Sequence, residues 1–160
     1  MTKLGISQAS HAHTAWKEEL AFRIPLPDKM YCSPLTRAIK TNEITFRGII
    51  PERERSVRKA VVVEVGARRS QDRFNFIPLQ LCREHNGVHT CDKRRSRSYI
   101  KETFPWLEIE EGFTEEDQLW SASKRESPAE IQRRAGKVLD TIFETDVDHT
   151  STRYLLRTFY

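Results

Sequence analysis

The stretch Tyr31-Cys32-Ser33-Pro34-Leu35-Thr36-Arg37-Ala38 places a strand end, a capping residue, a helix-starting proline and an arginine in that order. Ser33 predicts an N-cap and Pro34 the first helical position, which would turn free backbone N–H groups and the positive helix end outward. Arg37 adds a planar fork of donors beside that end, matched to the oxygens of a phosphoryl group. An arginine can equally pair with a surface carboxylate, and local physics leaves both readings of Arg37 open.

A second chemistry-bearing run is Leu81-Cys82-Arg83-Glu84-His85-Asn86-Gly87, followed by His89 and Cys91. Glu84, flanked by Arg83 and His85, would serve as a general acid if partly desolvated, although taken alone it reads more simply as a charged loop residue. Cys82, His85, His89 and Cys91 are zinc-ligand types, but structural zinc sites draw pairs from two separated segments and this is one tight run. The sequence therefore implies no metal and no cofactor. Arg94 and Arg95, beside Lys93, are candidates for contact with an acidic substrate, with a solvated charge run as the simpler explanation. His11, His13 and His149 read as solvated, and no Gly-rich phosphate loop, nucleophile elbow or paired-His helix motif occurs.

These residues need elements to position them. Thr2 predicts the cap of a helix to about Leu20, with Leu4, Ala9, Ala12, Trp16 and Leu20 on one face. Residues 29–32 read as a short buried strand entering a helix from Leu35 to about Phe46. Residues 60–65 are a β-branched run with strand character, whereas residues 66–80 are basic and irregular and read as a loop or insertion. Thr114 and Asp117 predict a capping box for a short helix, with the nearby aromatics packed under a loop. Ser127-Pro128-Ala129-Glu130 caps the clearest helix, with an apolar stripe of Ile131, Ala135, Val138, Leu139, Ile142 and Phe143. Tyr154-Leu155-Leu156 is a last candidate strand.

The chain has 160 residues, enough for one domain with a real core, at 38% hydrophobic and 31% charged content. No apolar run approaches the ~20 residues of a spanning helix, and the first residues lack a signal-peptide core, so the expectation is no membrane association. Cys32, Cys82 and Cys91 show no disulfide spacing and read as free thiols, which suits a cytoplasmic location and is compatible with the nucleus. The net charge is +4, yet basic residues 47–73 and 83–97 oppose acidic residues 108–117, a pattern that argues against nucleic-acid binding. The expected partner is a small phosphorylated molecule or phosphate; nothing signals the oligomeric state.

Several segments together resemble the phosphoglycerate mutase-like branch of the histidine phosphatase superfamily, in particular its fungal phosphomutase-like members. Thr2-Lys3-Leu4-Gly5-Ile6-Ser7-Gln8-Ala9 is similar to the family's first-helix signature, and Ser33-Pro34-Leu35-Thr36-Arg37-Ala38 with Thr41 to its phosphate-pocket helix. Residues 81–95, including Arg83-Glu84, Gly87-Val88-His89-Thr90-Cys91-Asp92 and Arg94, resemble the fungal branch around its acid residue. Phe104-Pro105, residues 110–113, residues 117–120 and Arg125-Glu126 continue the likeness, which spans most of residues 2–148.

The resemblance implies a three-layer α/β/α domain with a mostly parallel sheet and a pocket beyond the strand ends. It implies phosphoryl transfer or phosphate monoester hydrolysis through a phosphohistidine, with Arg37 and Ser33 as phosphate-binding residues and Glu84 as the acid. The family's Arg-His-Gly nucleophile motif, expected before the Leu4-Gly5 helix, and its second histidine, expected after residues 127–143, are absent from the 160 residues. The expectation is a domain lacking its first and last core strands, inactive as it stands, or a non-catalytic phosphate-ligand or protein-interaction module. Residues 65–80 interrupt the family pattern as an insertion. Valine codons begin with GT and one glutamine codon ends in AG, so this segment reads as translated intron sequence, with residues 151–160 as a divergent tail.

Overall fold

Thr2 caps the first helix as its sequence predicts: its hydroxyl accepts from the Gly5 N–H at 3.1 Å, and α1 runs over Lys3–Ala21. A computed structural model of the chain describes residues 1–22, 30–49, 76–78 and 80–145. The expected strand at 60–65, the candidate strand at 154–156, the tail at 151–160, His149 and most of the insertion at 65–80 lie outside the described residues. The remaining elements are β1 (Met30–Cys32), α2 (Thr36–Phe46), β2 (Phe76–Pro78), a 3-10 turn (Thr90–Asp92), α3 (Arg97–Thr103) and α4 (Pro128–Thr145).

The far end of the expected insertion is not a loop. Residues 76–78 form β2, parallel to β1, with Met30 opposite Phe76, Tyr31 opposite Ile77 and Cys32 opposite Pro78. Pairing with β1 organises a short apolar run that the preceding arginines hide from a periodicity reading. Parallel pairing requires a long crossover between the strands, and α2 lies within that connection.

β1 is buried along its whole length, and its pleat divides the core. Met30 packs with Phe46 and Ile49, under Trp16 and Leu20 of α1, and Cys32 packs with Ile39, Ile100 and Phe104. Tyr31 faces the other way, into Cys82, Val138 and Ile142. Helices therefore cover the β1 residues on both sides, α1 and α2 on one and α4 on the other, as a buried parallel pair requires.

α1 and α2 touch along a line of small and aromatic residues. Ala9 is fully buried, Thr45 Oγ1 donates to its carbonyl at 3.5 Å, and the Trp16 and Phe46 rings lie 5.3 Å apart. His13, expected to be solvated, contacts the Thr45 carbonyl through Nδ1 at 3.0 Å. Leu4 is the residue that leaves the expected apolar face, at 69% exposure. A type II turn ends α2, with Gly48 at φ 65° and the Ile49 N–H donating to the Phe46 carbonyl at 3.1 Å.

α4 starts with the expected capping box: the Glu130 N–H donates to Ser127 Oγ at 3.4 Å and the Ser127 N–H returns to Glu130 Oε2 at 2.9 Å. Its buried line is narrower than the apolar stripe, with Arg134, Val138 and Ile142 inside while Ala135, Leu139 and Phe143 are exposed. The short helix expected from Thr114 and Asp117 does not form, because both side chains are committed to other segments. The Ser96-capped helix α3, which carries no strong periodic signal, buries Ile100 instead.

Replacing Ile39, fully buried between β1 and α3, with alanine should lower the unfolding free energy by about 2–5 kcal/mol. Leu139→Ala, at an exposed α4 position, should change it by about 0.5 kcal/mol or less. Urea titration of the two variants checks the contrast.

Candidate functional site

The loops that leave the carboxyl ends of β1 and β2 open onto one cleft of about 920 Å³. The loop after β1 supplies Ser33 and Leu35, the first turn of α2 supplies Arg37, and the loop after β2 supplies Cys82, Glu84 and His85. Clefts of open parallel α/β sheets form at this end of the strands, where the chain leaves the sheet. The N-terminal end of α1 adds a third wall through its cap Thr2 and through Leu4, Gly5 and Gln8. Two helix N-termini, each a positive pole with incompletely paired N–H groups, thus border the same space.

The start of α2 differs from the expected cap. The helix begins at Thr36, and Leu35 occupies the N-cap position without a side-chain cap bond. Ser33 Oγ instead accepts from the Leu35 N–H at 3.4 Å, a serine turn that brings the chain out of β1 and around Pro34. Ser33 still lines the cleft, but as a turn residue two positions ahead of the cap.

Arg37 is held on three sides. Its Nη1 donates to the Cys91 carbonyl, its Nη2 donates to Glu84 Oε1, and Asp92 Oδ1 lies 3.7 Å from the same nitrogen. The two residues singled out in separate sequence runs, Arg37 and Glu84, are therefore direct partners in the cleft. Gly87 lets Asp92 approach: a Cβ at Gly87 would collide with the Asp92 carboxylate.

The loop bearing Glu84 is fixed from behind by buried arginines. Arg83 forms a two-point pair with Asp117, at 2.9 and 2.7 Å, with both side chains at 0% exposure. Asp117 also accepts from the N–H groups of Arg94 at 2.8 Å, Leu119 at 3.1 Å and Trp120 at 3.3 Å. Arg134 of α4 pairs with Glu126 at 2.7 Å through two nitrogens and donates to the carbonyls of Leu81, Arg83 and Glu84. Glu126 in turn accepts from the Asn86 N–H at 3.1 Å. Burial pushes the Asp117 carboxyl up, but the Arg83 hydrogen bonds and charge, with the Arg94 and Leu119 N–H groups, outweigh it and hold the carboxyl below its ordinary value of 3.8.

Arg94 and Arg95 separate. Arg94 is buried, donates to the carbonyls of Thr114, Glu115 and Glu116, and stacks 4.3 Å over the Phe113 ring, so it stands behind the cleft wall. Arg95 and Lys93 line the cleft, Lys93 at 5.2 Å from the Trp120 ring centroid. The three thiols are free: Cys32 and Cys82 are buried, and Cys91 is exposed at the cleft. Burial pushes the Cys82 thiol up to about 11 and the Cys32 thiol higher still. His85 contacts the Glu126 carbonyl at 2.8 Å, and among the described residues no group of three or more His, Cys, Asp and Glu side chains is arranged to hold a metal ion. Sequence reading missed Gln8 and the α1 N-terminus as cleft features, although the Thr2 cap was the signal. It also missed Asp92, which followed a glycine-containing run.

Comparison with known proteins gives three informative relatives. A probable phosphoglycerate mutase of Arthroderma benhamiae is 39% identical over 149 residues, covering 91% of this chain and 38% of that protein. Phosphomutase-like protein 3 of Candida albicans is 29% identical over 92% of this chain, and phosphoglycerate mutase-like protein 1 of Arabidopsis thaliana is 34% identical over 69%. The chain thus spans about two fifths of the length of the curated relatives it matches, from 38% to 41% in these three. No family model and no solved structure matches it. Among the described residues no helix is long and apolar enough to cross a membrane.

Asp117 has a depressed carboxyl in the folded state, so its contribution to stability is present above its unfolded value. That contribution is lost as the pH falls below 3.8 and through the folded value. Asp117→Asn should lower stability at pH 7 by about 3–5 kcal/mol, since it leaves the Arg83 charge buried and unpaired. The variant should also lose part of the parent's expected acid dependence at pH values below 3.8. Urea unfolding at several pH values reads both effects.

Proposed function

The chain belongs to the phosphoglycerate mutase-like branch of the histidine phosphatase superfamily, and we propose that its cleft binds the phosphoryl group of a small phosphorylated molecule. One observation carries this reading. Arg37, Glu84 and the N-termini of α1 and α2 border a single cleft beyond the ends of parallel strands. A phosphoryl group there would receive N–H donors from the helix starts and the Arg37 fork, and Ser33 would stand at its edge. Glu84, on the opposite wall, is in place to deliver a proton to a leaving ester oxygen. Arg95 and Lys93 would face the part of the ligand that extends outward.

In the complete architecture, these elements would belong to a three-layer α/β/α domain with a mostly parallel sheet. The free thiols suit a reducing compartment such as the cytoplasm.

The ancestral chemistry of the branch is transfer of a phosphoryl group to a histidine in an Arg-His-Gly motif, and these 160 residues contain no such triplet. As a polypeptide of this sequence, the chain would bind phosphate esters without turning them over. The same observation favours a second reading, a phosphate-ligand or protein-interaction module that uses the cleft without catalysis.

Inorganic phosphate should raise the unfolding temperature in a concentration-dependent way, as any ligand specific for the native state does. Arg37→Ala should weaken phosphate binding by about 10- to 100-fold, the worth of a charge-assisted hydrogen bond. Glu84→Gln removes the carboxylate that competes for Arg37 and should tighten it by several-fold. Unchanged affinity in both variants would place the phosphate elsewhere.

A further inference from the structure

The partners of Arg37 come from two places in the chain, and a ligand would treat them differently. From the loop after β2, Glu84 accepts from Nη2. The other two contacts come from one 3-10 turn: the Cys91 carbonyl accepts from Nη1, and Asp92 Oδ1 lies 3.7 Å from Nη2. That turn is itself fixed, because the Asp92 N–H and the Trp120 indole N–H both donate to the His89 carbonyl at 3.0 Å. At 3.7 Å the Arg37–Asp92 contact is an ion pair and not a hydrogen bond, so it pulls on the guanidinium without using up a donor.

The place of Asp92 depends on an absent side chain. A Cβ at residue 87 would overlap Asp92 Oδ2 and stand 3.5 Å from its Cγ, whereas the next atom, Arg125 Nη2, would be 3.8 Å away in ordinary contact. Gly87 has no positive φ, so what the absent side chain supplies is space and not backbone freedom. The space is taken by the Asp92 carboxylate. Two carboxylates thus compete for one nitrogen of Arg37. With Glu84 alone, Nη2 would be drawn fully onto that carboxylate and away from an entering phosphoryl group. A second carboxylate at the same nitrogen, carried by a fixed turn, offsets the pull.

We propose that Asp92 is a positioning residue: it counterbalances Glu84, so that the Arg37 guanidinium stays directed into the cleft and can exchange Glu84 for a phosphoryl oxygen. Gly87 is the position that admits it. The assignment rests on the phosphoryl-binding reading of Arg37 and extends it to two residues that need not touch the ligand.

Calorimetric titration of the full chain with inorganic phosphate tests the proposal in the parent, Asp92→Asn, Glu84→Gln and the double variant, with thermal unfolding in phosphate-free buffer to show that each is folded. Asp92→Asn should weaken binding about three- to tenfold, the size of coupling found between groups in contact. That direction is opposite to the effect of simply removing a negative charge near an anion. In the Glu84→Gln background the same substitution should no longer weaken binding, because the competing carboxylate is gone. Gly87→Ala changes no charge but displaces Asp92, so it should weaken binding to a similar extent and add nothing to Asp92→Asn. Asp92→Ser serves if the asparagine variant does not fold, and the Asp92–Glu84 cycle decides alone if Gly87→Ala does not. Unchanged or tighter phosphate binding in Asp92→Asn overturns the proposal. So does a loss that persists undiminished in the Glu84→Gln background, the mark of a merely structural role. Failure of inorganic phosphate to bind the parent overturns the phosphoryl reading itself, and this proposal with it.

Discussion

The Arg83–Asp117 pair is the contact around which the cleft wall is built. Neither charge reaches solvent, so each must be matched almost completely within the fold. Asp117 meets that demand with five donors drawn from three stretches of chain: two from Arg83, then the N–H groups of Arg94, Leu119 and Trp120. A buried carboxylate of this kind works as a hub, because moving any one of the three stretches strands a charge or an N–H group. Arg134 and Arg94 repeat the device in neighbouring loops, each spending its guanidinium on backbone carbonyls that no regular element satisfies. The segment from Gln80 to Trp120 has little regular structure, and buried arginines supply much of the hydrogen bonding that strands and helices supply elsewhere.

That rigidity matters because Glu84 sits on the outer side of the same loop. Arg83 points inward to Asp117 while its neighbour Glu84 points into the cleft towards Arg37. Arg134 clamps the carbonyls of Arg83 and Glu84 from the α4 side. Asp92, admitted by the missing side chain of Gly87, completes a carboxylate pair around the Arg37 guanidinium. The cleft therefore holds its principal cation preoriented but matched to acids, and a phosphoryl ligand would have to displace or share those contacts. The positive poles of α1 and α2 and the rim residues Lys93 and Arg95 provide the remaining attraction.

How legible this was in the sequence depended on the range of the interaction. Local hydrogen bonds were readable: the Thr2 cap and the Ser127–Glu130 box are contacts within four residues, and both formed as expected. The capping signal at Thr114 and Asp117 is equally local in pattern, yet Asp117 is taken by Arg83 and Thr114 by Gln80, so tertiary demand overrides it. Ser33 shows a milder version, its hydroxyl serving a turn and α2 starting later. Arg94 looked like part of a solvated charge run because sequence carries no direct sign of burial for an arginine whose Nη groups donate to backbone carbonyls. β2 was hidden by the arginines before it, since its identity comes from pairing with β1 and not from its own period. Arg37 and Glu84 were found as separate candidates. That they touch, and that α1 joins them, is long-range information that only the fold supplies.

The chain belongs to the phosphoglycerate mutase-like family, and the proposed reading is that its cleft holds a phosphoryl group beside Arg37. The most direct test is a crystal structure of the chain soaked with tungstate, a heavy tetrahedral dianion that mimics phosphate. The account predicts a single strong site with oxygens in hydrogen-bond contact with the Arg37 guanidinium and the first-turn N–H groups of α2, and Glu84 facing it. Tungstate bound only at surface lysines, with the Arg37–Glu84 contact undisturbed, would contradict it.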